Sequence, residues 1–185
     1  MDFADMAVAV LAAGQGRRFG SDKLLADLNG LPLGLHIGQT LAPISFGWRF
    51  AVCGKNTPMA TGYAELGFAV IANNEPEKGQ AHSLHLAVRA ALSTPAKALL
   101  ITLADMPFVS VEHVKCVVAT GELTASSDGN APMPPAYFPR ETWPALLETS
   151  GDRGAAALLQ SARLIVAAPA RLRDIDTPAD LPASK

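Results

Sequence analysis

A continuous apolar run leads directly into a glycine-rich, basic loop near the start of the chain. The run, residues 6–11, has the unbroken hydrophobicity of a strand that is buried on both faces of a parallel sheet. The loop that follows, residues 11–23, reads LAAGQGRRFGSDK. Glycines let the backbone approach a ligand closely, and successive backbone N–H groups in such a loop form an anion-binding concavity. The first strand and its loop therefore predict a polyphosphate site at the strand's carboxyl end.

Two familiar phosphate loops are excluded by their spacing. The dinucleotide fingerprint requires a third glycine at the place held by Phe19, and the P-loop requires a glycine where Asp22 precedes Lys23. An ordinary glycine-rich turn remains the alternative. The cations Arg17, Arg18 and Lys23 favour phosphate binding over that alternative, because they add charge-assisted hydrogen bonds to phosphate oxygens.

Strand-like and helix-like segments alternate four times in the first 120 residues. This alternation predicts a parallel sheet with helices on both faces. The predicted strands are 6–11, 48–53, 68–72 and 97–103, and the predicted helices are 32–41, 57–66, 81–92 and 110–119, the last capped by Ser110. Asn29 and Gly30 mark a turn. Beyond residue 120 we expect strands 122–126, 134–138 and 164–168, helices 142–148 and 152–162, and a turn-like tail.

Composition restricts the class of partner. The chain has 185 residues, which suits one domain, and its net charge of −2 argues against nucleic acid or an anionic membrane as the main partner. No window approaches 18 uninterrupted apolar residues, and the amino-terminal segment carries acids where a signal peptide carries bases, so we expect a cytoplasmic protein. Cys53 and Cys116 match no metal spacing and are expected to be reduced, buried thiols.

Three aspartates are candidates for a metal site. Asp105 comes directly after strand 97–103, and because the carboxyl ends of parallel strands share one edge of the sheet, it should face the glycine-rich loop. Mg²⁺ is commonly held by one or two carboxylates together with substrate phosphates, so Asp105 is a candidate magnesium ligand, with a turn-capping role as the alternative. Asp174 or Asp176 would supply a second carboxylate, unless Asp176 only caps the turn before Thr177.

The start of helix 81–92 offers a further polar group. Ser83 lies behind Gly79, where backbone N–H groups and a hydroxyl can meet a ligand, and a cap role is equally open. His82 and His85 are three residues apart and show no metal spacing, so solvated or core positions are expected.

Several motifs together resemble a known family. LAAGQGRRFGSDKLL looks like the signature of nucleotidyltransferases related to sugar-nucleotide pyrophosphorylases. It is followed in order by GQAHSLHLAVRAAL, LLITLADMPFVS, SGDRGAAALL and DIDTPADL. That order is similar to the molybdenum cofactor cytidylyltransferase family and its guanylyltransferase relatives, and the resemblance spans nearly the whole chain.

The resemblance implies a fold and a reaction. The fold is the Rossmann-like nucleotide-diphospho-sugar transferase fold, a three-layer α/β/α sandwich with a mainly parallel sheet. Residues 1–185 would form one nucleotidyltransferase domain, with a nucleotide-binding half at 1–120 and an acceptor-side half at 121–185. The reaction is the Mg²⁺-dependent transfer of a nucleoside monophosphate from CTP or GTP to the phosphate of molybdopterin, with release of pyrophosphate.

The resemblance also assigns roles to single positions. The base and sugar would be held by Leu11, Ala12, Ala13 and Gly14, and the triphosphate by Gly16, Arg18 and Lys23. Gly79 and Ser83 would contact the nucleotide. Asp105 would bind the Mg²⁺ ion, with Asp176 as a second candidate ligand. Arg18, Lys23 and Asp105 would be the catalytic residues. Family members with Ala-Ala-Gly at the loop start tend to use CTP, and Ala12 and Ala13 follow that pattern.

Departures from the family pattern fall mainly on the acceptor side. Phe19 replaces the usual methionine, segment 128–138 reads DGNAPMPPAYF, and Ala156 stands where a basic residue is common. Two alternatives therefore stay open. One keeps the fold but uses GTP or another phosphate-ester acceptor such as a sugar phosphate. The other is a non-catalytic factor that binds the cofactor and delivers it to a recipient molybdoenzyme.

Overall fold

The computed structural model describes residues 2–14, 22–151 and 154–181. Nine strands occur in these ranges: β1 Met6–Ala12, β2 Asp27–Leu28, β3 Leu31–Pro32, β4 Trp48–Gly54, β5 Ala69–Asn73, β6 Ala98–Leu103, β7 Thr124–Ser127, β8 Pro132–Pro139 and β9 Arg163–Val166. Seven of them form one sheet in the order β5–β4–β1–β6–β8–β7–β9. Strands from the first 120 residues and strands from the rest of the chain therefore belong to the same sheet.

The sheet is mainly parallel, as predicted. β1 lies in its interior and pairs in parallel with both β4 and β6. β8 is the exception, because it runs antiparallel to β6 and to β7. β2 and β3 form a separate hairpin, and its turn residues Asn29 and Gly30 have φ angles of 55° and 83°, the left-handed conformation that this tight turn requires.

Helices cover both faces of the sheet. The described helices are α1 His36–Leu41, α2 Pro58–Glu65, α3 Gln80–Leu92, α4 Val111–Ala119, α5 Trp143–Leu147, α6 Ala156–Leu159 and α7 Pro169–Leu172. α1, α2, α4 and α7 contribute to the apolar cluster on one face, and α3, α5 and α6 to the cluster on the other. Side chains of β1 alternate between the two, with Val8 and Val10 in the first and Ala9 and Leu11 in the second. The predicted three-layer α/β/α sandwich is therefore confirmed.

Most predicted elements are present, with corrections at their ends. Helix 32–41 becomes the α-helix only at His36, because Pro32 lies in β3 and Leu33–Leu35 form a 3₁₀ turn. The predicted helix 152–162 is described only as α6, which follows Gly154 with its left-handed φ of 48°. The last strand stops at Val166 rather than at residue 168 because α7 begins at Pro169.

The two thiols differ in environment. Cys53 is buried as expected, and burial raises its pKa to about 12. The expected burial is wrong for Cys116, which is exposed on α4.

None of the helices in the described part of the chain has the length and hydropathy that crossing a bilayer requires.

The central strands should dominate stability. Leu100 on β6 is 0% exposed, so Leu100→Ala should lower the free energy of unfolding by about 2–5 kcal/mol, through lost burial and the cavity left behind. Leu164 on the edge strand β9 is 46% exposed, and Leu164→Ala should change that free energy by no more than about 0.5 kcal/mol. Urea denaturation measures both variants, and equal losses would contradict this packing.

Candidate functional site

A cleft of about 570 Å³ opens at the carboxyl ends of β1 and β6. The chain passes from β1 outward through β4 to β5 and then returns to β6 on the other side of β1, so the cleft lies at a topological switch point. Ligands of open α/β sheets bind at such points. The cleft is lined by Leu11, Ala13, Gly14, Lys23, Leu24, Pro76, Glu77, Gly79, Gln80, Ser83, Leu103, Asp105 and Asp176.

The end of β1 and the two residues after it contribute to this cleft. Leu11 and Ala13 line it, on the face of the sheet that α3 covers. Ala12 belongs to the apolar cluster on the opposite face and is not among the lining residues. Strand alternation thus separates the two adjacent alanines of the motif.

The amino terminus of α3 forms a second wall. Gly79 caps the helix with φ 81°, a left-handed conformation that favours glycine, and no side chain among the described residues caps it by a hydrogen bond. A helix of 13 residues presents unpaired N–H groups and the positive end of its dipole at this terminus. This wall is therefore suited to an anion.

Lys23 joins the two carboxylates that the sequence predicts for the site. Its Nζ donates to Asp105 Oδ2 at 2.8 Å and to Asp176 Oδ1 at 2.9 Å. Lys23 is only 8% exposed. Burial lowers its pKa, but the attraction of both carboxylates outweighs burial, so the pKa lies above its ordinary value. Lys23 is thus a buried cation whose charge is balanced by two aspartates.

Each aspartate is held by the backbone around it. The carbonyl oxygen of Asp105 accepts a hydrogen bond of 3.0 Å from the N–H of Ile175, which is itself fully buried. Asp180 Oδ2 accepts hydrogen bonds from the backbone N–H groups of Asp176 and Thr177, at 3.2 and 2.7 Å. The turn-capping role that was the alternative for Asp176 therefore falls to Asp180, and the Asp176 carboxylate faces Lys23.

The two carboxylate oxygens of Asp105 differ in environment. Its Oδ1 is buried and has no hydrogen-bond partner among the described residues. A buried carboxylate oxygen without a partner is costly, so this atom is suited to a cation or a water molecule. In ranges 2–14, 22–151 and 154–181, no group of three or more His, Cys, Asp or Glu residues is arranged to hold a metal ion. A metal at Asp105 and Asp176 would have to complete its coordination with substrate oxygens and water.

Asn73 was not singled out by the sequence. It ends β5, is 1% exposed and donates from Nδ2 to Ser83 Oγ at 2.9 Å. Its Oδ1 accepts a hydrogen bond of 2.9 Å from the N–H of Glu75. The available signal was its position, because it is a polar residue at the carboxyl end of a predicted strand.

The remaining candidates from the sequence are loop residues and two histidines. Gly16, Arg17 and Arg18 fall outside the described residues. His82 lies 3.7 Å from the Glu75 carboxylate, and His85 pairs with Thr149 at 3.2 Å, so neither histidine lines the cleft.

Another cavity, of about 540 Å³, shares one lining residue with the cleft, Leu103. It is lined by Leu103, Met106, Asp128, Met133, Pro134, Pro169, Ala170, Leu172, Arg173 and Asp174. Partial burial, together with the charges of Asp176 and Asp105, raises the pKa of Asp174 above its ordinary value. The cavity therefore combines an apolar surface with charges of both signs.

Comparison with known proteins agrees with this geometry. Residues 8–168 match the family model described as the MobA-like NTP transferase domain. The purine catabolism protein PucB of Bacillus subtilis is 33% identical over 190 residues, which cover 91% of this chain and 90% of PucB.

Solved structures share the fold. Rv0371c of Mycobacterium tuberculosis superposes with a TM-score of 0.80 at 22% identity, over 95% of this chain and 94% of that one. A second structure of Rv0371c is a complex with manganese, with a TM-score of 0.76 at 20% identity, over 95% of each chain. The molybdopterin-guanine dinucleotide biosynthesis protein A of Archaeoglobus fulgidus gives 0.67 at 21% identity, over 95% and 94% of the two chains. The family match, which spans most of the chain, shows that the chain is a nucleotidyltransferase that belongs to the MobA-like NTP transferase family.

Proposed function

We propose that the chain moves CMP from CTP to the phosphate of molybdopterin and releases pyrophosphate, with a divalent metal ion, Mg²⁺, as its cofactor. The observation that carries this proposal is the meeting of Lys23, Asp105 and Asp176 in a cleft beside the amino terminus of α3. A cation, two carboxylates and unpaired helix N–H groups are the components that a metal–triphosphate complex requires.

The nucleotide would occupy the half of the domain formed by residues 1–120. Leu11 to Gly14 would hold the base and sugar, with Leu11, Ala13 and Gly14 at the cleft surface. Gly16, Arg18 and Lys23 would hold the triphosphate, assisted by Gly79 and Ser83 on the α3 side. The preference for CTP rests on Ala12 and Ala13 in the loop motif.

The metal would be held by Asp105 and Asp176. The fit is supported by the buried Oδ1 of Asp105, which has no hydrogen-bond partner in the described part of the chain. Both side chains also offer oxygen, the donor that Mg²⁺ prefers. The manganese complex of Rv0371c is compatible with a divalent ion in this fold. When bound, the ion would neutralise charge on the phosphates and stabilise the pyrophosphate as it leaves.

The transfer needs little proton chemistry. An oxygen of the acceptor phosphate, already anionic near pH 7, attacks the α-phosphorus of CTP and forms a new P–O bond. The bond between the α-phosphorus and the bridging oxygen breaks, and pyrophosphate leaves with the electron pair. Lys23 and Arg18 would stabilise charge on the phosphates, so the main requirements are positioning and electrostatics. No general base has to be found among the histidines.

The acceptor would bind on the side formed by residues 121–185. The cavity that shares Leu103 with the cleft suits an acceptor with an apolar heterocycle and polar edges, because it combines methionine and proline surfaces with Asp128, Arg173 and Asp174. The name of one similar protein, a molybdopterin-guanine dinucleotide biosynthesis protein, supports an acceptor of this class.

The test is pyrophosphate release with Mg²⁺ and each of CTP, GTP, ATP and UTP, with and without molybdenum cofactor. Turnover of CTP that depends on the cofactor supports the proposal. Turnover of GTP instead, or of CTP only with a sugar phosphate, would replace it with the corresponding alternative. Nucleotide binding without turnover would favour a delivery factor that passes the cofactor to a recipient molybdoenzyme.

Asp105 should be essential for turnover. Asp105→Asn keeps the shape of the side chain but removes the charge that binds the cation, so kcat should fall by about 100-fold or more. The fold should stay intact, because Asp176 still pairs with Lys23. Asp5→Asn is the matched control, since Asp5 also pairs with a lysine, Lys97 at 2.7 Å, but lies half-exposed just before β1, at the end of the strand away from the cleft. Equal activities of the two variants would exclude this role of Asp105.

Lys23 should affect nucleotide and metal in opposite directions. Lys23→Met removes a cation from the triphosphate site, so CTP affinity should fall about tenfold or more. The same change frees two carboxylates, so the nucleotide-free protein should bind Mn²⁺ more tightly than the unmutated protein does. Calorimetry measures the first effect, and paramagnetic resonance of free Mn²⁺ measures the second.

Lys97→Met is the control for this experiment, because Lys97 pairs with an aspartate on the exposed surface. It should alter neither affinity. An unchanged or weaker Mn²⁺ affinity in Lys23→Met would mean that the ammonium group does not compete with the metal for these carboxylates.

A further inference from the structure

Asn73 occupies a fixed orientation beneath the cleft. It is almost fully buried at the end of β5, between the loop at Glu75 and the first turns of α3. Because its Oδ1 accepts the backbone N–H of Glu75, its Nδ2 group has to face Ser83. The direction of the Asn73–Ser83 hydrogen bond is thereby set, and the amide is the donor.

This direction determines what Ser83 can do. A hydroxyl group has one hydrogen to donate and two lone pairs that accept. Ser83 Oγ uses a lone pair to accept from Asn73, so its hydrogen remains available. Ser83 is also one of the residues that line the cleft.

We propose that Asn73 is a positioning residue that makes Ser83 a hydrogen-bond donor toward the nucleotide. The group that Ser83 meets is then an acceptor oxygen, either on the phosphates or on the base or sugar. This inference rests on the proposed function, because it takes the ligand of the cleft to be a nucleoside triphosphate.

Asn73→Asp tests the inference directly. The new carboxylate has nearly the same shape and still accepts the N–H of Glu75, but it has no hydrogen to give. Ser83 would then donate its own hydrogen to Asp at position 73 and present only a lone pair to the ligand. The dissociation constant for CTP should rise by about tenfold or more.

Asn74→Asp is the matched control, since it adds the same charge at the next residue, which is exposed. It should leave CTP affinity close to that of the unmutated protein. In a Ser83→Ala background, Asn73→Asp should have no further effect, because the hydroxyl that it redirects is absent.

Asn73→Ala separates hydrogen-bond direction from packing. Alanine leaves the Ser83 hydrogen free, so this variant should bind CTP more tightly than Asn73→Asp does. A purely structural role predicts the reverse order, because alanine loses both hydrogen bonds and the side-chain volume. The inference is overturned by that reverse order, by equal affinities of Asn73→Asp and Asn74→Asp, or by a full effect of Asn73→Asp in the Ser83→Ala background.

Two probes identify the oxygen that Ser83 meets. If Asn73→Asp weakens both CTP and inorganic tripolyphosphate, the partner is a phosphate oxygen, and if it weakens CTP alone, the partner lies on the base or sugar. Failure of the unmutated protein to bind any nucleotide would overturn the proposed function and this inference together. Unimpaired CTP binding by Asn73→Asp overturns the inference alone.

Discussion

One ammonium group connects three distant parts of the chain. Lys23 Nζ hydrogen-bonds to Asp105 and Asp176, which lie 82 and 153 positions away in sequence. A buried cation is tolerated only when opposite charges and hydrogen bonds compensate its desolvation. The interaction therefore fixes the end of the glycine-rich loop, the turn after β6 and the carboxyl-terminal segment against one another.

The sheet makes this convergence possible. Because β1 lies in the interior of the sheet and is parallel to both of its neighbours, the segments that follow β1 and β6 leave the sheet at the same edge. The carboxyl-terminal segment joins them through Ile175, whose side chain is buried and whose backbone N–H donates a hydrogen bond to the Asp105 carbonyl. The aspartates on either side of Ile175 line different cavities. Asp176 lines the cleft, and Asp174 lines the cavity that shares Leu103 with it.

Sequence patterns predicted the parts of the site that depend on local order. The unbroken apolar strands gave the parallel sheet, and the position of Asp105 after a strand placed it at the cleft. The Lys23–aspartate contacts were not predictable, because they depend on how the loop returns to the sheet and on the path of the last segment. Asn73 was not predicted as a site residue, because its role depends on the hydrogen bond from its amide group to Ser83, which the sequence does not show. Cys116 was expected to be buried, but a single cysteine carries no signal for the face of α4 on which it lies.

The most direct measurement is a crystal structure of the protein with Mn²⁺ and a CTP analogue that cannot be cleaved at the α-phosphorus. We predict that Lys23 Nζ will have moved from the carboxylates to the triphosphate, and that Mn²⁺ will bind to Asp105 and Asp176. A complex in which Lys23 still bridges the two aspartates, with the metal bound elsewhere, would contradict the division of roles on which the proposed reaction depends.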